Sequence, residues 1–223
     1  MSSMLTAHGT AGIALEGDWR RALARSRHVP APAGAIAGRV WKELREVAAV
    51  TEWAAVMGEH HGLRIGDIRS HPRQAAPDCL FRMRGTEYTA EVTELIDEDL
   101  ARFLSVRARD GRMPSFAPPS LHRDYWDRDT FREKLAHRIA RKRAVATSHE
   151  RRIDALIVTT YEPLLTPDKV ADWLEGWPLE PTRYMRSGWL MMETDPTFAP
   201  HQPVFPLFGD FPPPRPPRRF FFF

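Results

Sequence analysis

The stretch from Pro77 to Glu94, PDCLFRMRGTEYTAEVTE, decides the fold because it holds two apolar runs separated by one turn signal. The central pair Arg84-Gly85 is a two-residue loop of the length that closes a β-hairpin. Counting outward from that loop gives opposed pairs, namely Met83 with Thr86, Phe81 with Tyr88 and Asp78 with Glu91. The sequence therefore predicts a hairpin that brings two carboxylates face to face.

The opposed carboxylates of Asp78 and Glu91 need a compensating partner. Opposed residues of an antiparallel pair have Cβ atoms about 4.5 to 5.5 Å apart, and like charges there destabilise the pair. At an effective dielectric of about 20 the repulsion is roughly 3 kcal/mol. A hard cation such as Mg²⁺ or Mn²⁺ would remove it. Hairpin geometry alone favours a different interpretation, in which Asp78 belongs to a turn and Glu91 is a solvated strand residue.

Length and composition limit the class of protein. A chain of 223 residues suits one sizeable α/β core with appended segments rather than two domains. Cys79 is the single cysteine, so no intramolecular disulfide can form, and its apolar neighbours predict a buried, unreactive thiol. No apolar run approaches the length that crosses a bilayer, so we expect a cytoplasmic protein without a membrane span.

Basic residues concentrate between Arg123 and Arg152. The whole chain has a formal net charge of only +3, but in this segment 10 Lys and Arg stand against 5 Asp and Glu. Such a surface suits phosphate groups. A solvated amphipathic helix, whose arginines lie along the edge of the core, explains the same pattern without a ligand.

The chain divides into three parts. Residues 1–38, rich in Ala, Gly and Arg, predict a weakly ordered lead-in, and residues 196–223 predict a Pro-rich tail. Residues 39–195 form the predicted α/β domain. Before the hairpin, the predicted elements are a helix at 40–59 and a strand at 63–68. After it come a helix at 96–109, a loop at 113–120 and a helix at 131–147, which is capped by Asp129 or Thr130. The last three are a strand at 153–161, a helix from Thr166-Pro167 to about Gly176 and an edge strand at 189–193. A hairpin followed by a strand–helix–strand crossover predicts a mixed sheet with helices packed on it.

This order, with Pro77-Asp78 opening one strand and Glu91-Val92-Thr93 in its hairpin partner, resembles the PD-(D/E)xK nuclease superfamily. The resemblance covers about Val40 to Tyr161, and Glu-Val-Thr-Glu at 91–94 looks like the corresponding strand of an uncharacterised bacterial group. It implies a restriction-endonuclease-like mixed sheet flanked by helices, and metal-dependent hydrolysis of nucleic acid, with DNA as the expected substrate. A homodimer and a complex with a protein partner are both compatible with it.

The resemblance implies a metal site. Asp78 and Glu91 would hold Mg²⁺ or Mn²⁺ together with the backbone carbonyl of Val92. Glu59, at the end of the first predicted helix, would add an acidic contact, because that helix supplies one in several nuclease groups. Glu94 is excluded, since strand alternation places it on the opposite face from Glu91.

The superfamily's usual lysine, two residues after the glutamate, is replaced by Thr93 in this chain. Some members take the lysine from the following helix instead. On a helical wheel with Phe131 at zero, Lys142 falls at about 20°, within the apolar stripe of Leu135 and Ile139. Lys134, at about −60°, is the second choice. A lysine that snorkels at the edge of the sheet also explains the position of Lys142.

Two functional hypotheses follow. In the first, the chain is a nuclease in which Lys142 orients the attacking water or stabilises charge on phosphorus, and Thr93 hydrogen-bonds a bound water. In the second, Thr93 in the lysine position marks a catalytically inactive nuclease-fold module that binds nucleic acid or a protein partner. An α/β protein with no nucleic-acid role is a third interpretation.

Overall fold

The computed structural model describes residues 35–71, 77–96, 126–160, 162, 165–192 and 202–211. These residues form α1 (Ala35–His61), β1 (Ile65–Ser70), β2 (Cys79–Met83), β3 (Thr86–Glu94), α2 (Arg128–Ser148), β4 (Ile153–Thr160), α3 (Pro167–Leu174), β5 (Met185–Met192) and β6 (Val204–Phe208). Beyond residue 96, the predicted helix at 96–109 lies outside the described residues, as does the predicted loop at 113–120. Among the described helices, none has the length and apolarity that crossing a membrane requires.

One mixed sheet organises the described residues, and its strands are arranged in chain order from β1 to β6. Strands β1, β2 and β3 form an antiparallel meander. Strands β3, β4 and β5 are parallel, and β6 returns antiparallel to β5. Parallel neighbours need a crossover connection, and α2 and α3 lie in the two crossovers. The architecture is α/β with an open mixed sheet, which confirms the predicted α/β fold class.

The β2–β3 hairpin has the predicted register. Its ladder pairs, from the turn outward, are Met83–Thr86, Arg82–Glu87, Phe81–Tyr88, Leu80–Thr89 and Cys79–Ala90. Arg84 and Gly85 both have positive φ, 52° and 78°, which is the type I′ pattern of a two-residue hairpin loop. Asp78 directly precedes β2, and the ladder continued by one step would place it opposite Glu91.

The two faces of the sheet carry separate hydrophobic clusters. On one face, α1 contributes buried residues that include Val50, Trp53 and Met57. On the other face, α2 contributes Phe131, Leu135 and Ile139. Strand β4 is buried at every position and supplies side chains to both clusters. The sheet is therefore covered on both sides where β4 crosses it, as expected for a parallel strand.

The starts of the two later helices follow from capping residues. Thr166 caps α3 by accepting a hydrogen bond from the Lys169 N–H, and Pro167 follows it, as predicted. For α2 the cap is Asp127, whose carboxylate accepts from the Thr130 N–H at 2.7 Å. The predicted cap at Asp129 or Thr130 was therefore wrong by two or three residues.

Three predicted boundaries are corrected. Helix α1 begins at Ala35, inside the predicted lead-in of residues 1–38. Strand β5 pairs with β4 on one side and β6 on the other, so it is not an edge strand. Strand β6 lies within the predicted Pro-rich tail of residues 196–223. Pro206 is tolerated in β6 because this strand forms the edge of the sheet, where one side of the backbone has no ladder to complete.

Candidate acidic site beside the hairpin

Asp78 is fixed against β3 by its own carboxylate. The Val92 N–H donates a hydrogen bond to Asp78 Oδ2 at 2.9 Å. The Asp78 side chain is only 11% exposed, so this bond replaces water that the carboxylate has lost. The Val92 N–H thus orients Asp78, and the predicted role of the Val92 carbonyl as a metal ligand stays a prediction.

Glu91 is the most deeply buried acid of the site, with 3% of the residue exposed. Lys142 Nζ donates a hydrogen bond to Glu91 Oε1. Glu91 Oε2 is buried and has no hydrogen-bond partner among the described residues. Burial and the nearby charge of Asp78 raise the pKa of Glu91, against the opposing effect of Lys142. Glu91 is thus a carboxylate with one oxygen paired and one oxygen left open.

Lys142 reaches this carboxylate from α2, as the helical wheel predicted. Its side chain is 26% exposed and projects from the same stripe as Ile139, which is fully buried. The contact with Glu91 joins α2 to β3 across 51 residues of sequence. Lys134, the second choice, lies over the ring of Trp126 at 5.5 Å. Eight residues separate the two lysines, or about 12 Å along the helix axis.

Glu46 of α1 is a third acid in the site, and the sequence analysis missed it. Its side chain is 12% exposed and lies beside Asp78, whose charge acts on it. Burial and the charge of Asp78 raise the pKa of Glu46 to about 7. Glu59, the residue predicted for this role, is exposed near the end of α1. It lies 13 residues further on, about 20 Å along the helix, so Glu46 takes the place that was predicted for Glu59.

Lys42 partly balances these acids from the solvent side. Its Nζ lies 3.0 Å from Glu46 Oε1 and 3.8 Å from Asp78 Oδ1, and its side chain is 70% exposed. Partial burial opposes the charged form of Lys42, but the hydrogen bond to Glu46 and the neighbouring carboxylates outweigh it and raise its pKa. The three carboxyl groups of the site therefore have two positively charged neighbours, Lys42 and Lys142.

The remaining predicted residues fall around this cluster. Thr93 is half-buried in β3, where it pairs with Val158 of β4, and strand alternation gives it the same face as Glu91. Glu94 forms an ion pair with Arg45 of α1 at 3.7 Å. Cys79 is fully buried, and burial followed by the charges of Asp78 and Glu46 raises its pKa, so its thiol is not poised to react.

The acidic site has the donor chemistry of a hard-cation site without the geometry of a preformed one. In the described parts of the chain, no group of three or more His, Cys, Asp or Glu side chains is arranged to hold a metal ion. Lys142 and Lys42 neutralise the carboxylates instead. Glu91 Oε2 still has no hydrogen-bond partner among the described residues. Carboxylate oxygens with unmet charge fit Mg²⁺ or Mn²⁺.

Comparisons of the chain with protein-family models, with curated proteins and with solved structures gave no match. Function is therefore inferred from the residues of the site itself.

Proposed function

We propose that the protein is a metal-dependent nuclease with a restriction-endonuclease-like fold, which hydrolyses phosphodiester bonds in DNA. The observation that carries the proposal is the state of Glu91. One of its oxygens is bound by Lys142, the other is buried without a hydrogen-bond partner in the described parts of the chain, and Asp78 lies beside it. A structural ion pair is expected to satisfy its buried oxygens, because leaving one unpaired costs about 1 to 3 kcal/mol. A cation-binding role explains why the protein retains this buried, unpaired oxygen despite its cost in stability.

The order of elements supports the same proposal. A helix, a three-stranded antiparallel meander, a second helix and a parallel strand follow one another from α1 to β4. This is the order on which the resemblance to the PD-(D/E)xK superfamily rests. Asp78 and Glu91 occupy its acidic positions, and Lys142 supplies the ammonium that Thr93 does not.

Asp78, Glu91 and the backbone carbonyl of Val92 are the groups that would hold the cation, with Glu46 adjacent as a further carboxylate. A bound Mg²⁺ or Mn²⁺ would polarise the phosphodiester and acidify an attacking water. The Val92 N–H keeps Asp78 oriented. Lys142 holds a positive charge beside Glu91, where it can orient that water or stabilise charge developing on phosphorus. Thr93 contributes a hydroxyl to the same face.

A second candidate function is supported by the contact between Lys142 and Glu91 itself. In an inactive nuclease-fold module, that ion pair would be the permanent replacement for the cation, and Thr93 would reflect the loss of the superfamily's lysine. Such a module would bind nucleic acid or a protein partner without turnover. The absence of a preformed metal geometry in the described residues is compatible with this alternative.

Cleavage of DNA in the presence of Mg²⁺ or Mn²⁺ tests the proposal. Asp78→Asn and Glu91→Gln remove a charge with little change in shape, and each is expected to lower the rate by at least about a hundredfold. Lys142→Met is expected to lower it as well. Glu94→Gln is the matched control, because it removes an ion-paired carboxylate from the same strand and leaves the site intact.

Equal cleavage by Glu91→Gln and Glu94→Gln would contradict the proposed nuclease. DNA binding by the wild-type protein, with no cleavage in either metal, would select the inactive module. Circular dichroism of each variant establishes that a lost activity does not reflect a lost fold.

A further inference from the structure

A second cationic feature lies at the turn end of the meander, away from the acidic site. An open cavity of about 420 Å³ is lined by Arg64, Arg82 and Arg84, with Asp67 as the single acid among the lining residues. All three arginines are exposed. We call this feature the arginine pocket. Its charge is the opposite of that of the acidic site.

The backbone of the arginine pocket is unusual for the residues that it carries. Arg84 has φ 52° at the first central position of the type I′ turn, where Asn, Asp and Gly are preferred. Asp67 has φ 50° in a bulge that shifts the β1–β2 register between Gly66 and Arg69. A left-handed conformation is costly for an arginine, and the turn itself does not need its side chain.

The ion pair between Arg82 and Asp67 is weak enough for a bound ligand to replace Asp67. It spans 3.8 Å between two side chains that are more than half exposed, 56% and 65%. Ion pairs of this kind contribute little to stability. Gly66 opposes Arg82 across the ladder, and a Cβ added to Gly66 would meet no atom of the described residues within 4 Å. The cavity thus has room for a group that binds Arg82 more strongly than Asp67 does.

The arginine pocket and the acidic site lie toward opposite ends of β2. Arg82 is four residues from Asp78, a distance of about 13 Å along extended chain. Phosphates along one strand of B-form DNA advance about 3.4 Å per nucleotide along the axis. A separation of about 13 Å therefore spans at most about four nucleotides of one strand. Arginine is the side chain best suited to the phosphate group, because its planar fork donates two parallel hydrogen bonds.

We propose that the arginine pocket is a second phosphate-binding site, which holds the nucleic-acid backbone within about four nucleotides of the bond that the acidic site would cleave. This inference rests on the proposed function for its substrate class. It adds residues, on β1, β2 and the hairpin turn, that neither the resemblance nor the acidic site identifies. The pocket sets the register of the backbone and takes no part in bond cleavage.

Fluorescence anisotropy in metal-free buffer tests the arginine pocket, because binding is then measured without cleavage. The probes are a labelled DNA duplex of about three helical turns and a single strand of equal length. The double substitution Arg82→Ala and Arg84→Ala is expected to weaken binding about tenfold or more at about 50 mM salt. The slope of log K against log salt should fall by about 0.9 per lost contact on duplex and about 0.7 on single strands.

Arg183→Ala is the matched control. Arg183 is also an exposed arginine, with its guanidinium 5.4 Å from the ring of Tyr184, and it lies before β5, outside both the arginine pocket and the basic segment from Arg123 to Arg152. Its removal should leave the affinity and salt slope at the wild-type values. Equal thermal melting of the control and the double variant establishes that both fold.

Unchanged affinity and salt slope in the double variant would overturn the proposal, and so would a wild-type protein that binds neither probe. The outcome is independent of the nuclease assignment. Weakened binding in a protein that never cleaves DNA would support the arginine pocket and contradict the nuclease. Unchanged binding in the double variant, together with loss of cleavage on Glu91→Gln, would contradict the arginine pocket and support the nuclease.

Discussion

At the residue scale, the site is a balance between three acids and two lysines. The positions of Asp78 and Glu91 could be predicted because hairpin register is a matter of counting from the turn. The position of Lys142 could be predicted because helical periodicity places it in the apolar stripe. Glu46 could not be predicted, since periodicity gives the buried face of α1 but not which of its turns lies beside Asp78.

The pKa of Glu46 gives a prediction for stability against pH. In the folded chain it is about 7, against an ordinary value of 4.5, so the folded state binds more protons between these values. Stability should therefore fall as pH rises from about 4.5 through about 7. Glu46→Gln removes this pH dependence. The difference in unfolding free energy between the variant and wild type should therefore shift by about 1 kcal/mol in favour of the variant between about pH 5 and about pH 8. Urea denaturation at both pH values measures the unfolding free energies. Equal pH dependence in the variant and wild type would show that the folded state does not raise the pKa of Glu46.

At the element scale, strands with strong local patterns were predicted well. The hairpin has alternating burial and a turn signal, and β4 is an uninterrupted apolar run. Strand β5 was predicted too short and at the edge, because Arg186, Ser187 and Gly188 interrupt its apolar pattern. Ser187 is buried there because its hydroxyl donates to the Asp154 carbonyl at 2.7 Å. Strand β6 was missed because Pro206 argues against any strand except one at an edge.

Gly188 tests how closely β5 and β6 pack. A Cβ at Gly188 would overlap the ring of Phe208, its ladder partner, and that ring is buried. Gly188→Ala should therefore destabilise the protein by about 2 to 3 kcal/mol. Gly66→Ala is the control, because a Cβ there meets no atom within 4 Å in the part of the chain that the structure describes, so the substitution should change stability by less than about 1 kcal/mol. Chemical denaturation gives both values, and equal effects would show that β6 does not pack as described.

At the scale of the whole molecule, the sheet extends beyond the domain boundary that composition indicated. Leu207 and Phe208 of β6 are buried in the same cluster as α2. Phe211 packs on the opposite face, with its ring 5.4 Å from that of Trp53. Residues 202–211 therefore complete both hydrophobic clusters. Composition could not show this, because proline content alone does not distinguish a tail from an edge strand with its flanking loops.

A chain shortened to end at residue 195 tests this extension. It would lose β6 and uncover the β5 edge and part of both clusters, so it should melt well below the full chain or aggregate. Differential scanning calorimetry of the two chains measures the change. Equal melting temperatures would contradict a structural role for residues 202–211.

The central claim is that Asp78 and Glu91 share a divalent cation. Anomalous diffraction from crystals of the full chain soaked in Mn²⁺ tests it most directly, since the metal is located without reference to activity. We expect an anomalous peak within ligand distance, about 2.0 to 2.2 Å, of carboxylate oxygens from both Asp78 and Glu91. A map without a peak there, with Lys142 still bound to Glu91 at saturating Mn²⁺, would contradict it.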